Sequence, residues 1–204
     1  MTHLLYIEAS PRKQRSASIE VSRTFLDAYR RRHPDARITT LDVWDLDLPE
    51  FDGVALEAKY AALEGRERTP AEVALWERLG ALARPFREAD HLVISTPMWN
   101  WGIPYKLKHL IDAVSQKDLL FSFDEHGLRG LLGGCKAALI LARGLDFSGD
   151  SPFARWEAQE SYLRIWLESI GIAEPAVLRV EGTLLAPEGR QAAAARAAEL
   201  AAGF

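Results

Sequence analysis

Five short strand-like segments, four apolar runs and one alternating segment, constrain the fold of this chain more than any other feature, because each is followed by a loop and then by a helix-like pattern. The segments lie at residues 4–7, 37–42, 91–95, 137–142 and 176–180. Apolar runs of this length are typical of buried parallel strands. Parallel neighbours need crossover connections, and the connections here have helical periodicity. We therefore predict one α/β domain over residues 1–204, a three-layer sandwich with a five-stranded parallel sheet and helices on both faces.

The helices are predicted from apolar spacing and from their end signals. Ser16 and Thr69 are expected N-caps, and Pro70 and Pro104 are expected in first helical turns. Residues 116–134 lack periodicity and are predicted to be irregular. The predicted helices cover about residues 16–33, 54–63, 70–86, 104–114, 153–169 and a last one that begins at Pro187.

Charge and cysteine content exclude several classes of function. The formal net charge of −4 offers no general attraction to nucleic acid or to anionic membranes. Cys135 is the single cysteine and precedes an apolar strand, so we expect an inert buried thiol. The five histidines lack metal-ligand spacing, and we predict no metal site. With no signal-like start and no long apolar window, we expect a cytoplasmic protein.

Three loops follow three different predicted strands, at residues 10–18, 97–102 and 143–150. In parallel α/β sheets the carboxyl ends of the strands lie at one edge, and ligands bind there near the point where the strand order reverses. We therefore expect these three loops to meet and to form the functional site.

The first loop combines Ser10, Ser16 and Ser18 with basic residues at a helix start. Free backbone N–H groups, hydroxyl donors and the helix dipole together favour a phosphate. The alternative is that Ser16 only caps the helix and that the cations are solvated. Neither the Gly-x-x-x-x-Gly-Lys pattern nor the Gly-x-Gly-x-x-Gly pattern is present.

The second loop offers two indoles and a carboxamide, from Trp99, Trp101 and Asn100. Indoles at this edge can pack against a flat heteroaromatic ring, and a carboxamide can both donate to and accept from its polar edge. Isolated tryptophans are more commonly core or interface residues, and that alternative stays open.

Taken together, the serines of the first loop, Pro97-Met-Trp-Asn-Trp-Gly-Ile-Pro104 and Ala142-Arg-Gly-Leu145 resemble the FMN-binding segments of the FMN-dependent NADH-azoreductase and quinone-reductase family. The likeness covers almost the whole chain and implies a flavodoxin-like fold. It implies bound FMN, which NADH or NADPH reduces before a small-molecule quinone or azo compound accepts two electrons by a ping-pong mechanism. It names no catalytic side chain. The implied cofactor ligands are Ser10, Ser16, Ala17 and Ser18 at the phosphate, Pro97, Met98, Trp99, Asn100, Trp101 and Gly102 along the isoalloxazine, and Ala142, Arg143, Gly144 and Leu145 at its other edge.

The chain departs from the family pattern at both aromatic positions of the second loop and at Ala142 and Leu145. The resemblance also implies a homodimer with sites at the interface, to which regions 54–76 and 147–166 could contribute, and it leaves a substrate role for His126 open. Two alternatives remain: a flavodoxin-like electron carrier for a protein partner, and a binding module that has lost the cofactor.

Overall fold

A parallel sheet covered by helices on both faces organises the chain. The computed structural model of the protein describes residues 1–61, 64–185 and 189–204. In chain order the elements are β1 (His3–Glu8), α1 (Ala17–Arg32), β2 (Arg37–Asp42), α2 (Gly53–Ala61), α3 (Pro70–Arg87), β3 (His91–Pro97), α4 (Tyr105–Val114), β4 (Phe121–Asp124), β5 (Gly127–Gly130), β6 (Lys136–Ala142), α5 (Gln159–Ser169), β7 (Ala176–Val180) and α6 (Gly189–Ala202).

The sheet has the strand order β2-β1-β3-β6-β7, and all four neighbouring pairs are parallel. The chain passes from β1 outward to β2 and then returns to the other side of β1 for β3. The strand order therefore reverses between β1 and β3, which confirms the predicted doubly covered parallel sheet and places the loops after these strands at the reversal point.

Alternation along the strands divides the core in two. Leu5 and Ile7 of β1 face one cluster, which includes buried residues of α3, α4 and α5. Leu4 and Tyr6 face the other, which α1 and α6 cover. Successive strand side chains point to opposite faces, so a buried sheet needs apolar residues at consecutive positions. The unbroken apolar runs of the sequence follow from this.

The alanine content of the last helix has a packing role. Ala193, Ala197 and Ala201 recur every four residues, lie fully buried, and share a cluster with Val21 and Phe25 of α1. Residues at this spacing lie on one helix face, and their small side chains let the two helices approach closely. The predicted start of the last helix at Pro187 lies outside the described residues, as do residues 62 and 63 at the end of the predicted helix 54–63.

Two helix starts behave as predicted and two do not. Ser16 caps α1, and Thr69 forms a capping box with Glu72 at the start of α3. Pro104 is the N-cap of α4 rather than its first residue. The helix predicted from about residue 153 begins at Gln159, because a separate 3₁₀ turn, Ala154–Trp156, precedes it.

The prediction that residues 116–134 are irregular is wrong, because β4 and β5 form an antiparallel hairpin there. Its strands have only four residues each, too few for an alternating pattern to be distinctive. Gly130 lies directly against the end of α5, where an added Cβ would approach the Gly171 nitrogen to 2.0 Å. Only glycine fits this contact.

Two features are absent from the described ranges. None of their helices is long and apolar enough to cross a membrane. Within the same parts of the chain, no group of three His, Cys, Asp or Glu side chains is arranged to hold a metal ion.

Candidate functional site

The three predicted loops meet at the carboxyl edge of the sheet. Glu8 at the end of β1 is aligned with Ser95 of β3, and Pro97 at the end of β3 is aligned with Ala142 of β6. The Met98 N–H donates to the Ala142 carbonyl (2.8 Å), which joins the second and third loops directly. The predicted meeting of the loops is confirmed.

The serine loop presents a set of hydrogen-bond donors at the start of α1. Ser10, Ser16 and Ser18 are all buried, and the Oγ atoms of Ser16 and Ser18 lie 3.1 Å apart. The Ser16 Oγ accepts from the Ile19 N–H (3.4 Å). The N–H groups of Ala17 and Ser18 have no acceptor in the described parts of the chain. Free N–H groups at a helix start, beside hydroxyls that can donate, suit an anion.

The basic side chains of this loop contribute less than their number suggests. Lys13 forms ion pairs with Asp42 and with Glu8 (3.4 Å). Arg12 and Arg15 are exposed. The basic side chains of this loop are therefore solvated or paired with nearby carboxylates. An anion bound here would rely mainly on the N–H groups and hydroxyls.

The second loop is a tight turn held by two backbone hydrogen bonds, Trp99 N–H to the Gly102 carbonyl and Gly102 N–H to the Trp99 carbonyl (both 3.0 Å). Its central residues, Asn100 and Trp101, have φ values of 45° and 73°. Such values match a type I′ turn. Glycine or asparagine usually occupies these positions, and the left-handed conformation costs a bulky residue about 1–2 kcal/mol.

Contacts outside the turn hold Trp101 in this conformation. Its carbonyl accepts from the Ala158 N–H (2.9 Å), just before α5. Its indole packs against Trp156, with ring centroids 5.0 Å apart, and remains 44% exposed. An exposed aromatic ring held in a strained conformation is typical of a binding surface rather than of a core.

The other indole of the turn points into a different aromatic group. Trp99 packs against Trp44 (5.7 Å between centroids) and Tyr105 (6.5 Å). The Trp44 Nε1 donates to the Ala9 carbonyl (3.1 Å), which ties this group to the exit of β1. The turn thus separates its two indoles, one toward the serine loop and one toward the third loop.

Two cavities flank the turn. The smaller, of about 220 Å³, lies between the second and third loops, and the larger, of about 530 Å³, lies on the Trp99 side. The smaller cavity is lined by Met98, Asn100, Trp101, Gly144, Leu145, Phe147 and Leu184. Five of these are predicted site residues, brought together from two loops. The larger is lined by Trp99, Asn100, Gly102, Ile103, Tyr105, Lys108, Ala158 and Tyr162.

Arg143 of the third loop is directed into the protein. Its guanidinium is fully enclosed and donates to Gln159 (3.1 Å), Glu181 (2.9 Å), Glu157 (3.0 Å) and Glu160 (3.4 Å). Its backbone N–H donates to the Val180 carbonyl (2.9 Å). These contacts anchor the third loop to α5 and to the segment after β7. That Arg143 contacts a cofactor stays a prediction, and the structure gives its side chain a supporting role.

The segment after β7 covers the third loop. The N–H groups of Gly182 and Leu184 donate to the carbonyls of Leu145 and Gly144 (both 3.2 Å). A Cβ added at Gly144 would lie 2.7 Å from the Leu184 Cδ1. A larger residue at position 144 would displace the exposed Leu184 side chain, which forms one side of the smaller cavity.

Burial and charge shift two carboxylates in opposite directions. Burial opposes ionisation of Glu160, but hydrogen bonds from Arg179 and Arg164 outweigh it and lower its pKa. Burial raises the pKa of Glu181 despite its contact with Arg143. Both groups serve the ion network beneath the site rather than the cavity itself.

Two other candidates lie away from the loops. Cys135 is half-buried rather than buried, and its burial raises the pKa of the thiol to about 11. A raised pKa favours the unreactive thiol form, and its inertness stays a prediction. His126 lies in the exposed turn of the β4–β5 hairpin beside Glu125 (3.6 Å), and it lines neither of the two cavities at the loops. A substrate role for His126 stays a prediction.

Several contributors to the site are absent from the residues predicted to form it. They include Trp44, Phe147, Trp156 and Leu184, of which only Phe147 lies in a predicted loop, and five residues that line the larger cavity: Ile103, Tyr105, Lys108, Ala158 and Tyr162. Trp44 and Phe147 follow β2 and β6 by only a few residues. An aromatic residue soon after a parallel strand would have been a usable signal, because strand ends place it at the same edge. Nothing local distinguishes Trp156 or Leu184.

Comparison with known proteins gives a consistent result. A family described as having a flavodoxin-like fold matches residues 2–203. The chain is 50% identical over 192 residues to FMN-dependent NADH:quinone oxidoreductase 9 of Burkholderia lata, covering 93% of this chain and 91% of the relative. It is 51% identical over 208 residues to FMN-dependent NADH:quinone oxidoreductase 3 of Pseudomonas fluorescens, covering 98% and 96%.

Solved structures agree with the sequence relatives. The FMN-dependent NADH-azoreductase of Bacillus anthracis, in complex with FMN, superposes with a TM-score of 0.90 at 29% identity, and the match covers 100% of this chain and 99% of that chain. From the strand order, the three converging loops and these similarities, we conclude that the chain belongs to the family of FMN-dependent NADH:quinone oxidoreductases and azoreductases, which has a flavodoxin-like fold.

Proposed function

We propose that this chain is an FMN-dependent oxidoreductase that transfers two electrons from NADH to quinones or aromatic azo compounds. One observation carries the proposal. The start of α1, with its free N–H groups and serine hydroxyls, lies at the same sheet edge as an aromatic turn and an apolar cavity. A phosphate with a flat heteroaromatic ring needs both features together.

The residues of this edge fit FMN by their chemistry. The free N–H groups of Ala17 and Ser18, with the hydroxyls of Ser10, Ser16 and Ser18, would hold the phosphate. The cavity between Trp101 and Gly144 would take one edge of the isoalloxazine. FMN held there would supply two-electron redox chemistry between NADH and the acceptor, for which we propose a ping-pong order.

The residues of the chain bind, orient and shield rather than transfer protons. Asn100 borders both cavities and offers a carboxamide donor and acceptor to a polar ring edge. Met98, Phe147 and Leu184 give the smaller cavity an apolar lining. The Arg143 side chain holds the third loop through its bond to Glu181. The hydrogen bond from the Ala158 N–H to the Trp101 carbonyl holds the second loop. We assign no catalytic acid or base.

The test is an absorption spectrum of the purified protein, followed by anaerobic addition of NADH and, separately, of NADPH. A flavin spectrum that NADH bleaches, and that a quinone restores, is the expected result. Protein that stays colourless after incubation with FMN contradicts the proposal. Steady-state NADH oxidation with a quinone as acceptor separates an enzyme from an electron carrier that serves a protein partner.

A homodimer and a cytoplasmic location belong to the same proposal. The faces of α2 and α3 expose Val54, Leu56, Tyr60 and Val73, and α5 exposes Ile165. Several large apolar side chains exposed on neighbouring elements favour a protein contact, and these lie in the regions expected from the sequence. Light scattering at micromolar concentration should give twice the mass of the chain, and a monomeric mass would contradict the dimer.

A further inference from the structure

A fully buried glutamine side chain joins the second and third loops. Gln159, the first residue of α5, donates from its Nε2 to the Thr96 carbonyl (3.2 Å) and accepts at its Oε1 from the Arg143 Nε (3.1 Å). Thr96 lies two residues before Met98, and Arg143 lies one residue before Gly144. Met98 and Gly144 both line the smaller cavity. The two hydrogen bonds of one side chain therefore end next to the two loops that form this cavity.

The chemistry of the two partners calls for a carboxamide. A backbone carbonyl only accepts and a guanidinium only donates, so the side chain between them must donate on one side and accept on the other. An ionised carboxylate has no donor, and lysine and arginine have no acceptor. Among unbranched side chains of this length, glutamine alone does both. The same argument fixes the orientation of the Gln159 carboxamide, with Nε2 toward Thr96 and Oε1 toward Arg143.

Neutralising the charge of Arg143 does not require Gln159. Three carboxylates also accept from this guanidinium, those of Glu181 (2.9 Å), Glu157 (3.0 Å) and Glu160 (3.4 Å). In the described parts of the chain, these carboxylates bond to α5, to β7 and to the third loop, and none of them bonds to β3. What the carboxamide of Gln159 adds to the charge network is a connection to the end of β3.

This connection lies where the sheet no longer holds the two loops together. The pairing of β3 with β6 ends at Pro97 and Ala142, and the Met98 N–H to Ala142 carbonyl bond (2.8 Å) follows it. Beyond this point the separation of the loops depends on what both of them contact. The start of α5 is such a contact, because the Ala158 N–H also donates to the Trp101 carbonyl (2.9 Å).

We propose that Gln159 is a positioning residue for the flavin ring: by joining the end of β3 to Arg143, it sets the width of the cavity between the second and third loops. This inference rests on the proposed function, because it takes the edge of the isoalloxazine as the occupant of that cavity. Gln159 lines neither of the two cavities beside the turn, and it acts through the two loops.

The experiment compares FMN with riboflavin, which has the same ring system without the phosphate. Fluorescence titrations of the full chain, stripped of bound flavin, give a dissociation constant for each. Gln159→Met keeps the length of an unbranched side chain and removes both hydrogen bonds. We expect both dissociation constants to rise by about five- to tenfold, the usual worth of one hydrogen bond, and their ratio to change less than about twofold. An effect at the phosphate would change the FMN constant alone.

Gln159→Glu separates the connection to β3 from the charge network. The new carboxylate can still accept from Arg143, but when it is ionised, at about pH 8, it cannot donate to the Thr96 carbonyl. We expect this variant to weaken the binding of both flavins at least as much as Gln159→Met does. Wild-type affinities in Gln159→Glu would show that only the contact with Arg143 matters, and would overturn the inference.

Gln116→Met is the matched control. Gln116 is also a fully buried glutamine whose Nε2 donates to a backbone carbonyl, that of Asp112 (2.5 Å). It follows the last residue of α4, at the opposite end of that helix from the aromatic turn. Gln116→Met should leave both flavin dissociation constants within about twofold of the wild type.

The visible circular dichroism of bound flavin at saturation is a second readout. It reports the surroundings of the ring rather than the stability of the fold. The band should change in Gln159→Met and should match the wild type in Gln116→Met.

The possible outcomes separate this inference from the proposed function. If the wild-type chain binds neither flavin, the proposed function is wrong, and the positioning role falls with it. If the wild type binds flavin and Gln159→Met keeps its dissociation constants and its visible band, the flavin site stands and the positioning role is overturned. A loss confined to FMN also overturns it. Should riboflavin bind too weakly to measure, the visible band with FMN decides, and should Gln159→Met fail to fold, the same measurements on Gln159→Glu decide.

Discussion

Replacing Glu160 with glutamine should destabilise the ion network beneath the site. Arg179 donates to Glu160 through two short bonds, Nε to Oε2 (2.6 Å) and Nη2 to Oε1 (2.5 Å). Arg164 adds a third at 2.9 Å, and Arg143 a longer one at 3.4 Å. Glutamine has nearly the same shape but only one acceptor oxygen, so its amide group would face guanidinium N–H groups without an acceptor.

The free energy lost by Glu160→Gln can be bounded from this geometry. Removing one partner of a fully buried ion pair costs about 3–5 kcal/mol. The Arg179 and Arg164 side chains are 43% and 40% exposed, so water can solvate them once the carboxylate is gone. We therefore expect a loss of about 2–3 kcal/mol, which for a chain of this length lowers the melting temperature by about 5–10 °C.

The effect of Glu160→Gln should depend on pH with a defined sign. The folded protein holds the pKa of Glu160 below the ordinary value of 4.5. A lowered carboxyl pKa contributes stability that is fully present above the unfolded pKa and is lost as the pH falls through the folded one. Glutamine does not titrate. The melting-temperature difference between wild type and variant should therefore be largest near neutral pH and shrink below about pH 4.5.

Circular dichroism melts of both proteins at several pH values test this prediction. Glu168→Gln is the matched control, because Glu168 is an exposed glutamate on the same helix, with no ion pair to any residue that the structure describes. A Glu160→Gln variant that melts within about 1 °C of the wild type near neutral pH would refute the reasoning. A difference that grows on acidification would refute the assigned direction of the pKa shift.

Three further changes test other parts of the structure. Ser16→Ala with Ser18→Ala should weaken FMN binding by at least about tenfold, since hydrogen bonds from hydroxyls to an anion are strong. Loss of the helix cap should lower the free energy of unfolding by only about 1 kcal/mol. Unchanged FMN affinity in a fluorescence titration would count against the phosphate assignment. Trp101→Phe should keep bound FMN but raise kcat/KM for bulky azo compounds relative to a small quinone by about threefold or more, because the smaller ring opens the cavity rim. An unchanged ratio of the two kcat/KM values in steady-state assays would show that Trp101 does not control substrate access to the cavity. Cys135, with its raised pKa of about 11, should be alkylated in the native protein far more slowly than a free thiol at neutral pH, as measured by intact mass. Equal rates would contradict the raised pKa.

Local pattern was enough to predict most of the fold. Four apolar runs predict strands because a sheet buried on both faces needs apolar residues at consecutive positions, and residues 37–42 predict a strand by their alternation. Ser16 and Thr69 mark helix starts because their side chains accept from backbone N–H groups three residues later. The pattern failed at the β4–β5 hairpin, where four-residue strands are too short to show a period, and at residues 153–158, where an aromatic 3₁₀ turn interrupts an apparent helix.

The sequence also determined which loops form the site, because parallel strands place their carboxyl ends, and whatever follows them, at one edge. Only the tertiary structure decided what each side chain does there. Arg143 turns into a network of glutamates that lie 14 to 38 residues away along the chain. Tyr6 meets Ser95 across 89 residues. Such contacts depend on which strands are neighbours and on which face each residue occupies, and no local pattern of residue types carries that information.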